Sequence, residues 1–372
     1  MPGAEAPGWN HGKTTEVVSL TGESHSPSPF PIPPLRQVWI TKRGGPEVLQ
    51  VREAPDPEPG AGEVRIRVAA AGINFADILA RMGLYPDAPK LPAVVGYEVA
   101  GTVDRVGSGV QGVREGDRVG AITPFGGYSS IVVVPAAQAI PLPDGLSFEK
   151  AAAIPVNYLT AWIMLAHLGC VRAGDRVLVH AAAGGVGVAA LQICRARGAE
   201  VIGTASASKH DRLREMGAAH CIDYRTEDFE AEVKRITGGR GVDVALDAIG
   251  GESFGKSYRS LAPLGRLYVF GVSSFATGER RNVLSALRGV MRTPRFHPFP
   301  LMNANRGVHG VNLGHLWKET ELLARGIGEI LAGVRAGTLD PVVDRVFSFE
   351  EAGEAHAYIQ GRGNFGKVLL AP

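Results

Sequence analysis

The chain has 372 residues, of which 45% are hydrophobic and 20% charged, and its formal net charge at pH 7 is +2. This length accommodates two domains with a sizeable core, and the small net charge, without a run of lysine and arginine, argues against a nucleic-acid partner. The three cysteines are too few and too scattered for a disulfide framework or a thiolate metal cluster, so they indicate a reducing compartment and predict a cytoplasmic protein.

Residues 1–34 are rich in proline, glycine and serine and poor in apolar residues. They lack the basic and apolar regions of a signal peptide, and Glu5, Glu16 and Glu23 argue against a mitochondrial transit peptide. We expect a disordered tail.

Residues 35–157 predict a β-rich first domain. Short apolar or alternating segments, separated by glycine and proline, are typical of strands. These segments lie at 38–40, 48–51, 63–68, 98–106, 118–122 and 130–134. Many short strands joined by glycine turns favour a partly open β-barrel.

The segment between Lys150 and Arg172 contains no charged residue and approaches the length of a transmembrane helix. Pro155, Asn157 and His167 interrupt it, and alanine supplies much of its apolar character. A buried helix joining two domains explains the segment better than a membrane span, which is the alternative.

Residues 158–306 alternate between strands and helices, which predicts a doubly wound parallel sheet of Rossmann type. Its strands are expected near 177–179, 201, 219–222, 242–246 and 266–270. Residues 307–372 are expected to return to the first domain, with a helix at 316–336 and strands at 342–347 and 366–370. The predicted fold class is therefore α/β.

The most informative motif follows the strand at 177–179. This strand runs into a turn of small residues that contains Gly184, Gly185 and Val186, and an alanine-rich helix begins directly behind it. Small side chains let backbone N–H groups approach a pyrophosphate, and the helix N-terminus adds partial positive charge. Although alanine replaces the first glycine of a GxGxxG pattern, the order of elements predicts a dinucleotide-binding βαβ unit.

The end of the next strand indicates which dinucleotide binds. An NAD site usually carries Asp or Glu there to hold the ribose 2′-hydroxyl, whereas this chain has Thr204, Ala205 and Ser206, followed by Lys209. A hydroxyl and a cation favour a 2′-phosphate, so NADPH is the predicted cofactor. We assign Ser206, Lys209 and Tyr224 to this phosphate; the alternative for Lys209 is an ordinary solvated lysine.

Two further strand ends are predicted to flank the nicotinamide ribose, because ligands bind outside the carboxyl ends of such sheets. One carries Ile249 and Gly250, and the other carries Phe270, Gly271 and Val272. All five are assigned as cofactor-binding residues.

A basic segment spans residues 280–306. No acidic residue occurs between Glu279 and Glu319, while arginines alternate with apolar residues at 280, 281, 288, 292, 295 and 306. We interpret the segment as a basic loop and helix over the substrate cleft or at a dimer contact. The alternative is a surface that rests on anionic lipid.

Strings over nearly all of residues 35–372 match one family. They include Gly-Ile-Asn-Phe-Ala-Asp at 72–77, Gly-Leu-Tyr-Pro at 83–86 and Val-Gly-Tyr-Glu-Val-Ala-Gly at 95–101, besides the nucleotide turn. With these strings the chain resembles the medium-chain dehydrogenase/reductase superfamily, and within it the zinc-independent quinone oxidoreductases of the zeta-crystallin group. The strings at 204–210, 303–306 and 364–370 are similar to those of the vesicle amine transport protein homologues.

The resemblance implies a GroES-like barrel as the catalytic domain beside the Rossmann domain. It also implies that Asn74 and Tyr85 lie at the nicotinamide and acceptor pocket, and that Asn364 closes over the cofactor from the barrel side. A homodimer that pairs the edges of two nucleotide-binding sheets is expected on the same ground.

The chain departs from the zinc enzymes of this fold at Tyr97. Those enzymes carry Gly-His-Glu, whose histidine binds zinc, whereas this chain has Gly96, Tyr97 and Glu98, and tyrosine is not a usual zinc ligand. The cysteine ligand expected near residues 72–77 is also missing, so no metal is predicted. Asn74, Tyr85 and Tyr97 are the candidate hydrogen-bond donors to an acceptor oxygen, and the alternative for each is a satisfied buried polar residue.

Quinones and α,β-unsaturated ketones suit a metal-free site, because hydride addition gives a delocalised anion that needs little stabilisation. The predicted function is therefore NADPH-dependent reduction of such an acceptor. One alternative is an enoyl-thioester reductase, which shares the fold and cofactor. Another is a nucleotide-binding, membrane-associated adaptor with little turnover.

Overall fold

The computed structural model describes residues 34–276, 278 and 283–372, with side chains omitted for 283–286. The predicted disordered tail, apart from Pro34, lies outside the described residues, as do Arg280 and Arg281. The described strands are β1 Leu35–Ile40, β2 Leu49–Ala54, β3 Glu63–Gly72, β4 Ala93–Val94, β5 Glu98–Val106, β6 Arg118–Ile122, β7 Ile131–Pro135, β8 Ala139–Pro141, β9 Arg176–Val179, β10 Glu200–Ala205, β11 Ala218–Asp223, β12 Val242–Asp247, β13 Leu261–Val269, β14 Gly307–Gly310, β15 Val343–Ser348 and β16 Lys367–Ala371.

The helices pack around these strands. Within the described residues they are α1 Phe75–Met82, α2 Phe148–Ala152, α3 Pro155–Trp162, α4 Gly185–Ala196, α5 His210–Glu215, α6 Phe229–Ile236, α7 Glu252–Arg259, α8 Val283–Arg292, α9 Pro298–Ala304, α10 Thr320–Arg335 and α11 Ala352–Gln360.

The first domain consists of two mainly antiparallel sheets. One has the order β2-β1-β4, and the other has the order β15-β16-β3-β5-β6-β8, with β7 paired to β3. The alternating apolar residues of β3 and β5 bury a core that includes Ile66, Val99 and Val103. Strand β16 pairs with β3 at Leu369 and Leu370, so the end of the chain completes the barrel.

The second domain is a parallel sheet in the order β11-β10-β9-β12-β13-β14. This is the doubly wound order, in which the strand sequence reverses direction next to β9. Ligands bind in the crevice outside the carboxyl ends at such a reversal. The predicted fold class, a GroES-like barrel with a Rossmann domain, is confirmed.

The uncharged segment after Lys150 forms the buried helix α3, which packs against α4 and α10. Its Pro155 stands in the first turn, where a missing backbone N–H costs no hydrogen bond. No helix in the described part of the chain is long and apolar enough to cross a membrane. The preferred interpretation, a buried helix between domains, is confirmed.

The predicted return to the barrel at residue 307 is wrong in position. Residues 307–310 form β14, which pairs with β13 as the last strand of the parallel sheet. Helix α10 then packs on α3, and the chain rejoins the barrel only at β15. The four residues Gly-Val-His-Gly carry too little apolar pattern to predict a strand.

Candidate functional site

A cavity of 670 Å³ opens at the carboxyl ends of β9, β10 and β12. The start of α1 from the barrel and the segment 359–368 form its other walls. Ten of the residues predicted for the site line this cavity. They are Asn74, Gly184, Gly185, Val186, Ser206, Lys209, Tyr224, Ile249, Phe270 and Asn364.

The nucleotide turn lies at one wall of the cavity. Gly184 is the N-cap of α4 and makes no side-chain cap, so the first-turn N–H groups are open to an anion. A Cβ at Gly187 would lie 2.5 Å from the carbonyl oxygens of Ala181 and Ala182. Glycine at 187 therefore allows α4 to pack closely on the turn, as a dinucleotide cradle requires.

The end of the chain is bonded to this turn. The Gly366 N–H donates to the Ala183 carbonyl at 2.8 Å, and Gly184 and Gly366 form a parallel bridge. Asn364 is anchored beside them, because its Nδ2 donates to the Gly366 carbonyl at 2.9 Å. The segment that carries Asn364 thus meets the nucleotide turn through the backbone.

Lys209 lines the end of the cavity that also carries Tyr224. Its Nζ donates to the carbonyl oxygens of Arg362, at 2.8 Å, and Asn364, at 2.5 Å. Burial lowers the pKa of Lys209, against the opposing effects of Tyr224 and Asp344, and the charges of Arg225 and Arg362 add a smaller lowering. Two of the three ammonium hydrogens are committed to the chain, so one is left for a ligand.

Arg362 is a second cation at this end, and sequence reasoning missed it. It lines the cavity with its guanidinium 5.2 Å from the Tyr224 ring centre. Burial raises the pKa of Tyr224, but hydrogen bonds and charges from Arg362 and Arg225 outweigh it and bring this pKa below its ordinary value. The signal that could have identified Arg362 is its place between two glycines, two residues before Asn364.

Three of the predicted strand-end residues do not line the cavity. Gly250 has φ +87°, a left-handed conformation that favours glycine, and a Cβ at Gly271 would lie 3.2 Å from Ala248. Val272 packs instead against the apolar cluster that includes Ile78 and Met82. These residues shape the backbone behind Ile249 and Phe270, which do line the cavity.

A buried polar chain forms part of the cavity wall. The Asp247 carboxylate accepts from the Ser257 hydroxyl at 2.6 Å, so the Ser257 oxygen is free to accept from His180 Nε2 at 3.0 Å. Thr204 Oγ1 lies 3.1 Å from His180 Nδ1 and donates to it. Burial lowers the pKa of His180, with a partial opposing effect from Asp247, so the imidazole is neutral.

Asp247 also orders the turn after β12. It accepts from the Ile249 N–H at 2.7 Å and from the Ser253 hydroxyl at 2.7 Å. Ile249 and Ser253 both line the cavity. The carboxylate therefore fixes the part of the sheet edge where a nicotinamide ribose is predicted.

Asn74 stands where β3 meets α1. Its backbone N–H donates to Asp77 Oδ2 at 2.8 Å, and Asp77 also accepts from the Gly96 N–H at 3.1 Å and from Tyr128 at 3.0 Å. Asp77 is fully buried and stabilises the start of α1 as part of this network. This network fixes the backbone from which the Asn74 side chain reaches the cavity.

Tyr85 and Tyr97 do not line the cavity. Tyr97 is buried, with its ring centre 5.1 Å from that of Phe125, and burial raises the pKa of its hydroxyl, with a further rise from Asp77. Tyr85 lies where the loop after α1 meets the loop after β14, because its hydroxyl would be 3.6 Å from a Cβ at Gly314. Their predicted donor roles stay predictions.

Tyr97, which stands where the resemblance implies a zinc-binding histidine in the zinc enzymes, is buried. Among the described residues there is no cluster of three or more His, Cys, Asp or Glu side chains placed to hold a metal ion. Glu98 instead accepts hydrogen bonds from the Asn74 amide at 3.0 Å and from the Val156 N–H at 2.7 Å. Glu98 therefore links the start of α1 to the start of α3.

Comparison with known proteins identifies the family. Residues 60–144 match the alcohol dehydrogenase GroES-like domain, and residues 216–370 match the family described as zinc-binding dehydrogenase. The chain is 43% identical to the rat synaptic vesicle membrane protein VAT-1 homolog, over 91% of this chain and 85% of the relative. It is 36% identical to a quinone oxidoreductase of Pseudomonas aeruginosa, over 91% of this chain and 99% of the relative.

Comparison with solved structures indicates the same family. The Escherichia coli quinone oxidoreductase complexed with NADPH is 34% identical, with a TM-score of 0.81, over 91% of this chain and all of that one. The CurK enoyl reductase is 30% identical, with a TM-score of 0.79, over 91% of this chain and 99% of that one. The chain therefore belongs to the medium-chain dehydrogenase/reductase superfamily, in the group that includes quinone oxidoreductases and the VAT-1 homologues.

Proposed function

We propose that this chain is an NADPH-dependent oxidoreductase that reduces quinones or α,β-unsaturated carbonyl compounds. The observation that carries the proposal is one continuous cavity whose cationic end carries Lys209 and Arg362 and whose lining also includes Asn74. The NADPH complex of the E. coli quinone oxidoreductase, a relative by fold and sequence, supports the choice of cofactor.

The residues present fit NADPH. The open amides of Gly185 and Val186, in the turn that Gly184 begins, suit a pyrophosphate, because the N-terminus of α4 carries partial positive charge there. At the cationic end, Lys209 and Arg362 suit a 2′-phosphate, with Ser206 and Tyr224 as hydroxyl partners. Ile249 and Phe270 would contact the nicotinamide ribose, and Asn364 would cover it.

The chain's own contribution to the reaction is binding and charge stabilisation. Bound NADPH supplies the hydride. Asn74 donates an N–H to the acceptor oxygen on which negative charge develops, in a cavity whose low dielectric strengthens the hydrogen bond. Tyr85 and Tyr97 are proposed as further donors on the acceptor side.

The first test is NADPH oxidation by the purified chain with ortho-quinones, para-quinones and enones, with NADH measured alongside. We expect turnover with NADPH and at least tenfold lower kcat/KM with NADH, because NADH lacks the phosphate that the cations contact. Equal kcat/KM with both cofactors contradicts the assignment of the cationic end.

Two other functions are kept because the same cavity serves them. An enoyl-thioester reductase is favoured by the similarity to the CurK enoyl reductase, and it predicts that crotonyl-coenzyme A is reduced faster than any quinone. A nucleotide-binding adaptor predicts NADPH binding with no oxidation by any acceptor. The acceptor panel with crotonyl-coenzyme A added separates all three.

We further propose a peripheral contact with anionic lipid through α8 and α9. Met291 and Phe299 are 69% and 76% exposed, and exposed arginines, Arg288 and Arg295, lie in the same segment. Apolar side chains that enter the headgroup region beside cations are typical of such a surface. The double variant Met291→Ser/Phe299→Ser should lose flotation with phosphatidylserine vesicles at low salt. Equal flotation of the wild type and the double variant contradicts the proposed lipid contact.

We also propose a homodimer through β14. In the described part of the chain this strand pairs only with β13, so its other edge offers unpaired backbone groups. Light scattering after size exclusion tests it. A mass near 78 kDa, twice the 39.2 kDa of the chain, is expected, and a monomeric mass at all concentrations contradicts it.

A further inference from the structure

A buried ion pair lies in the barrel wall of the cavity. Lys367, the first residue of β16, is 3% exposed and donates from Nζ to Oε1 of Glu98, the first residue of β5, which is fully buried. Lys367 also lines the cavity. A charge buried this deeply requires a partner, so removing either residue alone leaves the other uncompensated.

The pair holds the side-chain amide of Asn74 between its two charges. Lys367 Nζ donates to Asn74 Oδ1 at 2.7 Å, and Asn74 Nδ2 donates to Glu98 Oε1 at 3.0 Å. A flipped amide would point its oxygen at the carboxylate and its NH₂ at the ammonium, and both contacts repel. The ion pair therefore selects one of the two amide orientations.

This orientation decides what Asn74 can offer a ligand. Its oxygen is directed at the ammonium, and one of its two N–H groups is directed at the carboxylate. The group left over is the second N–H of Nδ2. Since Asn74 lines the cavity, the side chain can donate to a ligand oxygen there.

The space for the pair depends on Gly72. A Cβ at Gly72 would lie 2.6 Å from Glu98 Oε1 and 2.7 Å from Lys367 Cε. The other carboxylate oxygen, Glu98 Oε2, accepts from the Val156 N–H at the start of α3, at 2.7 Å. The ion pair is thus fixed on several sides by the backbone of the barrel and of the helix that follows it.

We propose that Lys367 is a positioning residue: with Glu98 it orients the Asn74 amide so that its free N–H donates to the acceptor oxygen. This inference rests on the proposed function, since the acceptor is the ligand it concerns. It assigns a role in the reaction to a residue that lies 293 positions from Asn74 in sequence.

The test is a double-mutant cycle in the full-length chain with Asn74→Ala, Lys367→Met and the double variant. If Lys367 acts through Asn74, each single substitution lowers kcat/KM for the quinone about tenfold, and the double variant is no slower than Asn74→Ala. The dissociation constant of NADPH, measured by fluorescence, should change less than threefold in all three. If the two effects multiply instead, so that kcat/KM of the double variant falls nearly a hundredfold, the proposal is overturned.

Two further variants test whether a loss of activity comes from a loss of folding. Lys367→Met leaves the Glu98 charge unpaired, so Glu98→Gln/Lys367→Met, which removes both charges, is measured by thermal unfolding and in the same assay. This neutral variant should fold yet be at least as slow as Lys367→Met, because neither charge is then left to select the amide orientation; wild-type kcat/KM in it overturns the proposal. Lys150→Met, which breaks the exposed pair with Asp340, is the matched control and should behave as wild type.

Measurements on the wild-type chain distinguish a failure of the proposed function from a failure of the role of Lys367. If it neither binds NADPH nor reduces any acceptor, the proposed function fails, and the role of Lys367 fails with it. If the wild type turns over normally and the cycle shows independent effects, only the role of Lys367 is overturned.

Discussion

The ammonium of Lys209 donates to the backbone carbonyl of Arg362 at 2.8 Å, although 153 residues separate the two in sequence. Lys209 follows β10 of the Rossmann domain, and Arg362 precedes the last strand of the barrel. The proposed 2′-phosphate site is therefore built from residues of both domains. Lys209 is proposed to supply a positive charge for the phosphate. Its hydrogen bonds to the carbonyls of Arg362 and Asn364 also hold the segment that carries Asn364.

Substitutions at these two cations should differ in their cofactor dependence. Arg362 has φ +57°, so Arg362→Gly removes the guanidinium without adding backbone strain. One lost charge-assisted hydrogen bond, about 1.5–3 kcal/mol, should raise the dissociation constant of NADPH about tenfold or more and leave that of NADH unchanged. Lys209→Ala should weaken both cofactors, NADPH more, because the tether is lost as well. Fluorescence titration checks this, and equal losses for both cofactors in Arg362→Gly contradict it.

Gly187→Ala tests the packing of the nucleotide turn. The added methyl group would meet the Ala181 and Ala182 carbonyls at 2.5 Å, so α4 must shift away from β9. We expect a loss of about 1–3 kcal/mol in unfolding free energy together with weaker NADPH binding. Gly328→Ala in α10 is the matched control, since nothing lies within 4 Å of its Cβ, and it should gain about 0.5–1 kcal/mol. Urea unfolding of both variants gives the comparison; similar stabilities would contradict the expected clash.

Asp247→Asn tests the buried polar chain in the cavity wall. The carboxylate accepts from the Ile249 N–H and from the hydroxyls of Ser253 and Ser257, whereas an amide NH₂ group cannot accept. At least one donor is left unpaired, at a cost of about 1–3 kcal/mol of unfolding free energy. Denaturant unfolding measures this loss. Ser253→Ala removes a single donor and should cost less; the reverse order would show that Asp247 does not hold the turn.

Asp77 should give the stability a distinct pH dependence. Burial raises the pKa of Asp77 to about 6, against the opposing effects of its hydrogen bonds and of Lys367, while an unfolded aspartate titrates near pH ~4. Between these values the native chain binds more protons than the unfolded chain. The contribution of Asp77 is therefore complete below about pH 4 and is lost as the pH rises through about 6.

The variant Asp77→Asn isolates this effect. The difference in unfolding free energy between wild type and variant should shift against the wild type between about pH 4 and 6 and stay constant above about 7. Urea titrations at each pH measure it. A difference that does not depend on pH would show that Asp77 titrates alike in both states.

The sequence predicted those site residues that local patterns of residues mark. The turn at 184–186 and the hydroxyl and cation at 206 and 209 could be assigned because small residues and strand ends mark them within one βαβ unit. Arg362 and Lys367 could not, because their site roles come from contacts with Tyr224 and with Asn74, which lie far away in sequence. Phe270 was found beside two neighbours that do not reach the cavity, since strand ends locate a region and leave the direction of each side chain open.

The bridge between Gly184 and Gly366 has a consequence for folding. The two residues lie far apart in sequence, so the nucleotide turn gains its backbone partner only when β16 has joined β3 in the barrel. The parallel sheet can therefore form before the cofactor cradle is complete. A substitution that weakens the pairing of β16 would disturb the nucleotide turn from within the other domain.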